Sequence, residues 1–259
     1  MSDRRFWLAV FLALFLSQAL LAQQTLRIAA AADLQPILPP LIKKFEQQQS
    51  AITVLASYKS SAILATQILS GAPFDLFLAA DMSYPERIVA GGKAESPRPL
   101  PYARGTLVLW TRNDSGLRDL SLKSLLNPAV HSVAIANPSH APYGLAAQQT
   151  LEHSGLYSAV QPRLVVAENI AQAAQYADSG NAQVGFISMT SALTPRLSRD
   201  GHFARVPAKD YSPLVQGAVV VRGSAGAAAA GKFLDFLRSP AIGIWLSAHG
   251  LQPASQPLR

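Results

Sequence analysis

The sequence predicts an α/β protein whose parallel or mixed sheets are covered on both faces by helices. Three observations predict it. Short β-rich runs alternate with amphipathic helical patterns along nearly the whole chain. Many of those runs end in small or polar residues that open the next helix. Finally, 259 residues with 49% apolar and only 14% charged side chains can build one large domain or two small lobes, not a disordered or coiled-coil chain.

Taken in order, the first 22 residues read as a secretory leader. Arg4 and Arg5 precede the apolar run Phe6–Leu16, and small residues stand near Ala19 and Ala22, with cleavage expected after Ala22. The run is short for a membrane span, and Gln23-Gln24 follow it without a basic stop-transfer cluster. A retained Met1–Ala22 would instead make the protein a membrane-anchored sensor. Losing Asp3, Arg4 and Arg5 takes the formal net charge from +7 to about +6.

From Gln23 on, strands are expected at Leu26–Ala30, Ile52–Tyr58, Leu76–Ala79, Thr106–Thr111, Ser132–Ala136, Leu164–Val166, Val184–Ser188 and Ala218–Val221. Helices are expected at Leu34–Gln48, Ala62–Ser70, Tyr84–Ala90, Gly144–His153, Ile170–Ser179, Ala225–Leu237 and Pro240–His249. The Pro-rich stretch Pro97–Thr106 and the stretch Pro207–Gly217 read as crossings between two lobes. That reading assigns residues 23–103 plus 217–259 to lobe 1 and residues 104–216 to lobe 2, with hinge closure between them.

One stretch, Ser57–Asp81, shows the chemistry best. A strand runs into Ser60-Ser61, a helix follows and stops at Gly71, and a second strand ends at Ala80-Asp81. A Ser pair at a helix start brings hydroxyls and free backbone N–H groups to one point that the helix dipole makes mildly positive. Such a point can hold an anion without Arg or Lys. Ser60 can equally be a plain N-cap. The arrangement recurs at Ala31-Ala32-Asp33, at Asn137–Gly144 and at Ala167-Glu168-Asn169 before Ile170. In α/β sheets such strand ends gather where ligands bind.

Other chemistry is excluded or unsupported. The chain has no cysteine, which removes disulfides, thiolate metal sites and a Cys nucleophile. It carries no GxGxxG opening a helix after a strand, no GxxxxGK[ST] and no GxSxG. The histidines His131, His140, His153, His202 and His249 show no metal-ligand spacing. Asp75 and Asp81 flank a strand and read as turn and cap residues. Trp110 and Trp245 suit core or crossing positions. The basic residues are scattered, with no aromatic interleaving, which argues against nucleic acid.

Together these segments resemble the periplasmic molybdate-binding proteins of ABC transporters. The resemblance is carried by Ala29–Asp33, Ser60-Ser61, GAPFDLFLAAD (Gly71–Asp81), ANPSHAPYG (Ala136–Gly144), AENIAQA (Ala167–Ala173), GNAQVGFIS (Gly180–Ser188) and FLDFLRSPAIGIWLSAHG (Phe233–Gly250). It implies a two-lobed type II periplasmic binding fold with a hinge and an interlobe cleft. It also implies a molybdate or tungstate ligand, no cofactor, no catalysis, a membrane permease as partner, a monomer and a periplasmic location.

By position, the resemblance makes Ser61 a donor through hydroxyl and N–H, Tyr143 through its phenol and Ile170 through its N–H. Ala32 and Asp33 form the first-loop contact. Lys59, Ser60 and Ser188 would stand behind these. All would touch oxygens of the anion, not the metal. Ser188 stands where one branch of the family has Tyr, and Tyr143 would take over that role.

Asp33 departs from the family, many of whose members carry Ser, Thr or Asn there. An ionised carboxylate only accepts hydrogen bonds and repels a dianion. It can turn outward and cap its helix, the reading favoured because Asp is a good N-cap. It can pair with Lys59, or it can accept a proton from a protonated anion. Two alternatives to molybdate capture remain. One is the same fold with sulfate, phosphate or an organic anion; the other is a secreted hydrolase with Ser61 as nucleophile.

Overall fold

The computed structural model describes residues 23–254, and the Met1–Ala22 leader lies outside them. No described helix is long and apolar enough to cross a membrane. The strands form two sheets. The first contains β1 (Gln24–Ala31), β2 (Ile52–Lys59), β3 (Leu76–Ala79), β4 (Leu100–Arg104), β10 (Val215–Val220) and β11 (Gln252–Pro253). Its order is β11-β4-β10-β3-β1-β2. The second contains β5 (Leu107–Arg112), β6 (Val133–Ala136), β7 (Leu164–Ala167), β8 (Val184–Ser188) and β9 (Gly201–Arg205), in the order β7-β6-β8-β5-β9.

Each sheet has a parallel trio with an antiparallel strand beside it. In the first, β1 pairs parallel with β2 and β3, and β10 lies antiparallel to β3. In the second, β6 pairs parallel with β7 and β8, and β5 lies antiparallel to β8. The chain passes between sheets from Arg104 to Leu107 and returns between Arg205 and Val215.

The helices are α1 (Leu38–Gln48), α2 (Ser61–Leu69), α3 (Ser83–Ala90), α4 (Pro142–His153), α5 (Tyr157–Val160), α6 (Ile170–Asp178), α7 (Met189–Ala192), α8 (Pro195–Asp200), α9 (Ala227–Leu237) and α10 (Pro240–Ala248). Phe45 of α1 meets Phe233 of α9 edge-on at 5.0 Å between ring centres. Phe233, Leu237, Ile242 and Leu246 share a core with Leu26 and Ile28, so α9 and α10 cover one face of the first sheet. Leu64 and Ile68 of α2 and Ile88 of α3 cover the other with Phe77. Burying each such side chain contributes about 1.5–3 kcal/mol.

Several expected boundaries shift for stated reasons. The helix expected from Leu34 begins at Leu38, after a 3-10 turn at Ala32–Leu34. Pro39 and Pro40 lack N–H donors and are tolerated only in a first turn, which sets the start. The stretch Pro97–Thr106 holds strand β4, although it contains Pro101. Pro101 stands opposite Gly217 of β10 at a register shift in that ladder, a place where a strand tolerates a residue without an N–H. β9, β11, α5, α7 and α8 were not expected either; they are two to six residues long and too brief to show a period.

Asp75 ties three elements of the first sheet together. It is buried, and its Oδ2 accepts the Arg27 N–H at 2.7 Å while Oδ1 accepts the Gly226 N–H at 3.0 Å, just ahead of α9. Its role is structural capping, in keeping with its sequence position. Asp75→Ala strands two backbone donors and is expected to cost about 2–4 kcal/mol in urea unfolding; a change within a few tenths would contradict this account.

Candidate functional site

The turn after β1 places Asp33 between the two sheets. Ala31 ends the strand with extended φ and ψ, and no side chain caps the 3-10 turn. That turn packs against α6 and α7 of the second sheet's layer. Ala31, Ala32 and Ala80 share one apolar cluster with Ala141, Tyr143 and Ile170. Small residues at these strand ends let the two halves approach closely.

Asp33 is fully buried, at 0% exposure. Its Oδ2 accepts the Tyr143 hydroxyl at 3.1 Å and an N–H of the Gln216 side-chain amide. The Gln216 carbonyl oxygen in turn accepts the Tyr102 hydroxyl at 2.7 Å. The Asp33 backbone carbonyl accepts the Thr190 hydroxyl at 2.6 Å. Asp33 Oδ1 is buried without a hydrogen-bond partner among the described residues. Burial pushes the Asp33 carboxyl up to about 6, against the pull of the Gln216 and Tyr143 hydrogen bonds. Burial, then the Asp33 charge, pushes the Tyr143 and Tyr102 phenols well above their usual range.

The outward-capping reading of Asp33 is therefore corrected: desolvated contact with Tyr143 and Gln216 takes the carboxyl inward. The Lys59 pairing is corrected too. Lys59 stands beside Ala31 in the β1–β2 register, yet no ion pair joins it to Asp33 among the described residues.

The Ser pair divides its work. Ser61 Oγ is buried and accepts the Ala80 N–H at 3.0 Å, which leaves its own proton free to donate. Ser60 occupies the N-cap position of α2, but its hydroxyl makes no cap bond and pairs with His140 Nδ1 at 3.1 Å. The His140 carbonyl accepts the Ala62 N–H at 3.2 Å, joining the start of α2 to the loop before α4. The imidazole thus sits on Ser60, not on Ser61.

Ile170 begins α6. Asn169 caps that helix by accepting the Ala171 and Gln172 N–H groups at 3.0 and 3.1 Å. The Ile170 N–H has no acceptor within the helix. Ser188 caps α7 by accepting the Ser191 N–H at 3.2 Å and bonds to Thr190 Oγ1 at 2.8 Å. It reaches Asp33 only through Thr190.

Four residues of this network were not singled out in the sequence: Tyr102, Gly105, Thr190 and Gln216. Gln216 carried a signal, as the one polar side chain in the β10 run VQGAVV. Gly105 gave none. A Cβ there would stand 2.1 Å from the Tyr143 hydroxyl, so only glycine leaves room for Tyr143 to reach Asp33. Among the described residues no group of three His, Cys, Asp or Glu could hold a metal ion.

Comparison with known proteins agrees with this geometry. The family of bacterial extracellular solute-binding proteins matches residues 26–252. The molybdate-binding protein ModA of Rhodobacter capsulatus is 37% identical over 193 residues, covering 74% of this chain and 75% of that protein. The solved periplasmic molybdate-binding protein of Azotobacter vinelandii superposes with a TM-score of 0.81 at 33% identity, covering 87% of this chain and 98% of that one. The sulfate-binding protein SubI of Mycobacterium tuberculosis shares the fold, with a TM-score of 0.73 at 19% identity, covering 90% of this chain and 88% of that one. Two separate mixed sheets, each covered by helices, are thus the arrangement of a known fold. The chain belongs to the bacterial extracellular solute-binding proteins, among the ModA molybdate-binding proteins.

Proposed function

We propose that this protein captures molybdate, and tungstate with it, in the periplasm and presents it to an ABC importer without catalysing any reaction. The observation that supports this best is the convergence of unpaired donors from two sheets. In this reading Ser61 donates its hydroxyl and N–H, Ile170 donates its N–H, and Tyr143 turns its one phenol proton from Asp33 Oδ2 to the anion. The Ala32–Asp33 turn adds backbone N–H groups. Neutral donors at helix starts hold an oxyanion without a cation, and the size of the enclosed space selects among anions. Lys59, Ser60 and Ser188 act behind these contacts, with Ser60 placed by His140 and Ser188 by Thr190.

In the same proposal, residues 23–103 plus 217–259 form one lobe and residues 104–216 the other. The anion binds to both, the closed arrangement gains the contacts, and the permease reads closure. The protein is exported, loses Met1–Ala22 and works as a monomer.

Calorimetric titration of the purified protein tests the ligand. Heat is expected with molybdate and tungstate and little with sulfate or phosphate; silence with the first two ends the reading. Ser61→Ala is expected to weaken molybdate binding about tenfold to a hundredfold, the worth of one buried hydrogen bond to a charged group. Gly105→Ala should match Tyr143→Phe in its loss of affinity, because both take the Tyr143 hydroxyl out of place; unaltered binding by Gly105→Ala would remove Tyr143 from the contacts. Mass measurement of the exported protein should place its first residue at Gln23.

A further inference from the structure

Resting on that reading of the site, we propose that the protein takes up its divalent oxyanion together with one proton, held between Asp33 Oδ1 and an oxygen of the anion. Asp33 is then a specificity-determining contact that works as a donor.

The two oxygens of Asp33 are unequal. Oδ2 already accepts from Tyr143 and Gln216. Oδ1 is buried and without a partner. A proton on Oδ1 leaves the Gln216 bond to Oδ2 intact and turns the one unused atom into an O–H donor. Ionised, the same atom would bring a negative charge against a dianion in a space closed to water, a pairing that raises the pKa of one of the two groups.

No charged group is bonded to Asp33 among the described residues. The groups bonded to Asp33 are neutral: Tyr143 from α4, Gln216 from β10 with Tyr102 behind it, and Thr190 from α7. The elements packed against the turn carry Tyr58 and Lys59 on β2 and Tyr176 and Asp178 on α6. Asp178 is engaged by Arg196 at 3.0 Å, and Lys59 makes no ion pair with Asp33. With the free carboxyl titrating at about 6, the proton is easily supplied near neutrality. It comes from solvent as the anion arrives: the carboxylate becomes a carboxylic acid, and no covalent bond of the anion changes.

The sign of the pH effect follows. Above the free carboxyl's pKa each bound anion requires one proton from solution, so affinity falls as pH rises, by about tenfold per pH unit. Titration of the full-length exported protein with sodium molybdate, in buffers of different ionisation enthalpy near about pH 7.5, measures the protons taken up. The expected result is about one proton per anion, with Kd rising about thirtyfold from about pH 7 to 8.5. Asp33→Asn, which donates without titrating, should take up none and bind with a flat pH profile. Molybdate binding by the unaltered protein without proton uptake, or uptake that persists in Asp33→Asn, overturns the proposal. If molybdate gives no heat with the unaltered protein at any pH, the receptor reading itself fails and this inference falls with it.

Discussion

A single buried carboxyl joins the two halves of this molecule. Asp33 leaves the first sheet at the end of β1 and receives hydrogen bonds from Tyr143 of the second sheet's layer and from Gln216 of the returning strand. Gln216 is itself held by Tyr102 on β4. The four side chains form one relay that touches both halves and the two strands through which the chain crosses between them. A buried polar group left unpaired costs about 1–3 kcal/mol, so the relay holds each partner in place. Its unequal satisfaction, two bonds on Oδ2 and none on Oδ1, concentrates unused capacity at one atom.

The strand-to-helix junctions around that atom follow from backbone chemistry. A helix start has N–H groups with no acceptor inside the helix. Two of the junctions satisfy some of these: Asn169 takes two N–H groups of its own helix α6, and the His140 carbonyl, from the loop before α4, takes that of Ala62 in α2. Those that remain, Ser61 and Ile170, are buried: Ile170 belongs to the apolar cluster of Ala31, Ala32, Ala80 and Tyr143, and Ser61 bonds to Ala80 beside it. Neutral donors suit a small oxyanion, and the same fold in a molybdate-binding and a sulfate-binding protein shows that the frame alone does not choose among anions.

Much of the fold was legible because periodicity and punctuation are local. The strands at Ile52, Leu76 and Val184 and the helices starting at Ile170 and Pro240 stand where the apolar runs and their flanking residues put them. Pro39 and Pro40 moved the start of α1 by four residues, and the brief strands β9 and β11 left no pattern to read. At the site, Ser61, Tyr143 and Ile170 were named through the family resemblance, and the helix starts pointed only to the junctions that carry them. Tyr102 and Gln216 were not singled out, because each lies far in sequence from Asp33; Gln216 stood out in its apolar strand, but nothing local named the partner it reaches.

By itself the sequence determined the α/β class, the family, and the type of chemistry: small and polar residues at helix starts, without cysteine or clustered cations, leave neutral hydrogen bonding to an anion. Only the tertiary structure decided the fate of Asp33. Local propensity favours Asp as an outward cap, a preference of about a kcal/mol. Long-range packing brought Tyr143 and Gln216 to its carboxyl and removed it from water, and that combination outweighs the local preference. The side chain the sequence would have turned toward solvent is the one on which the two halves meet.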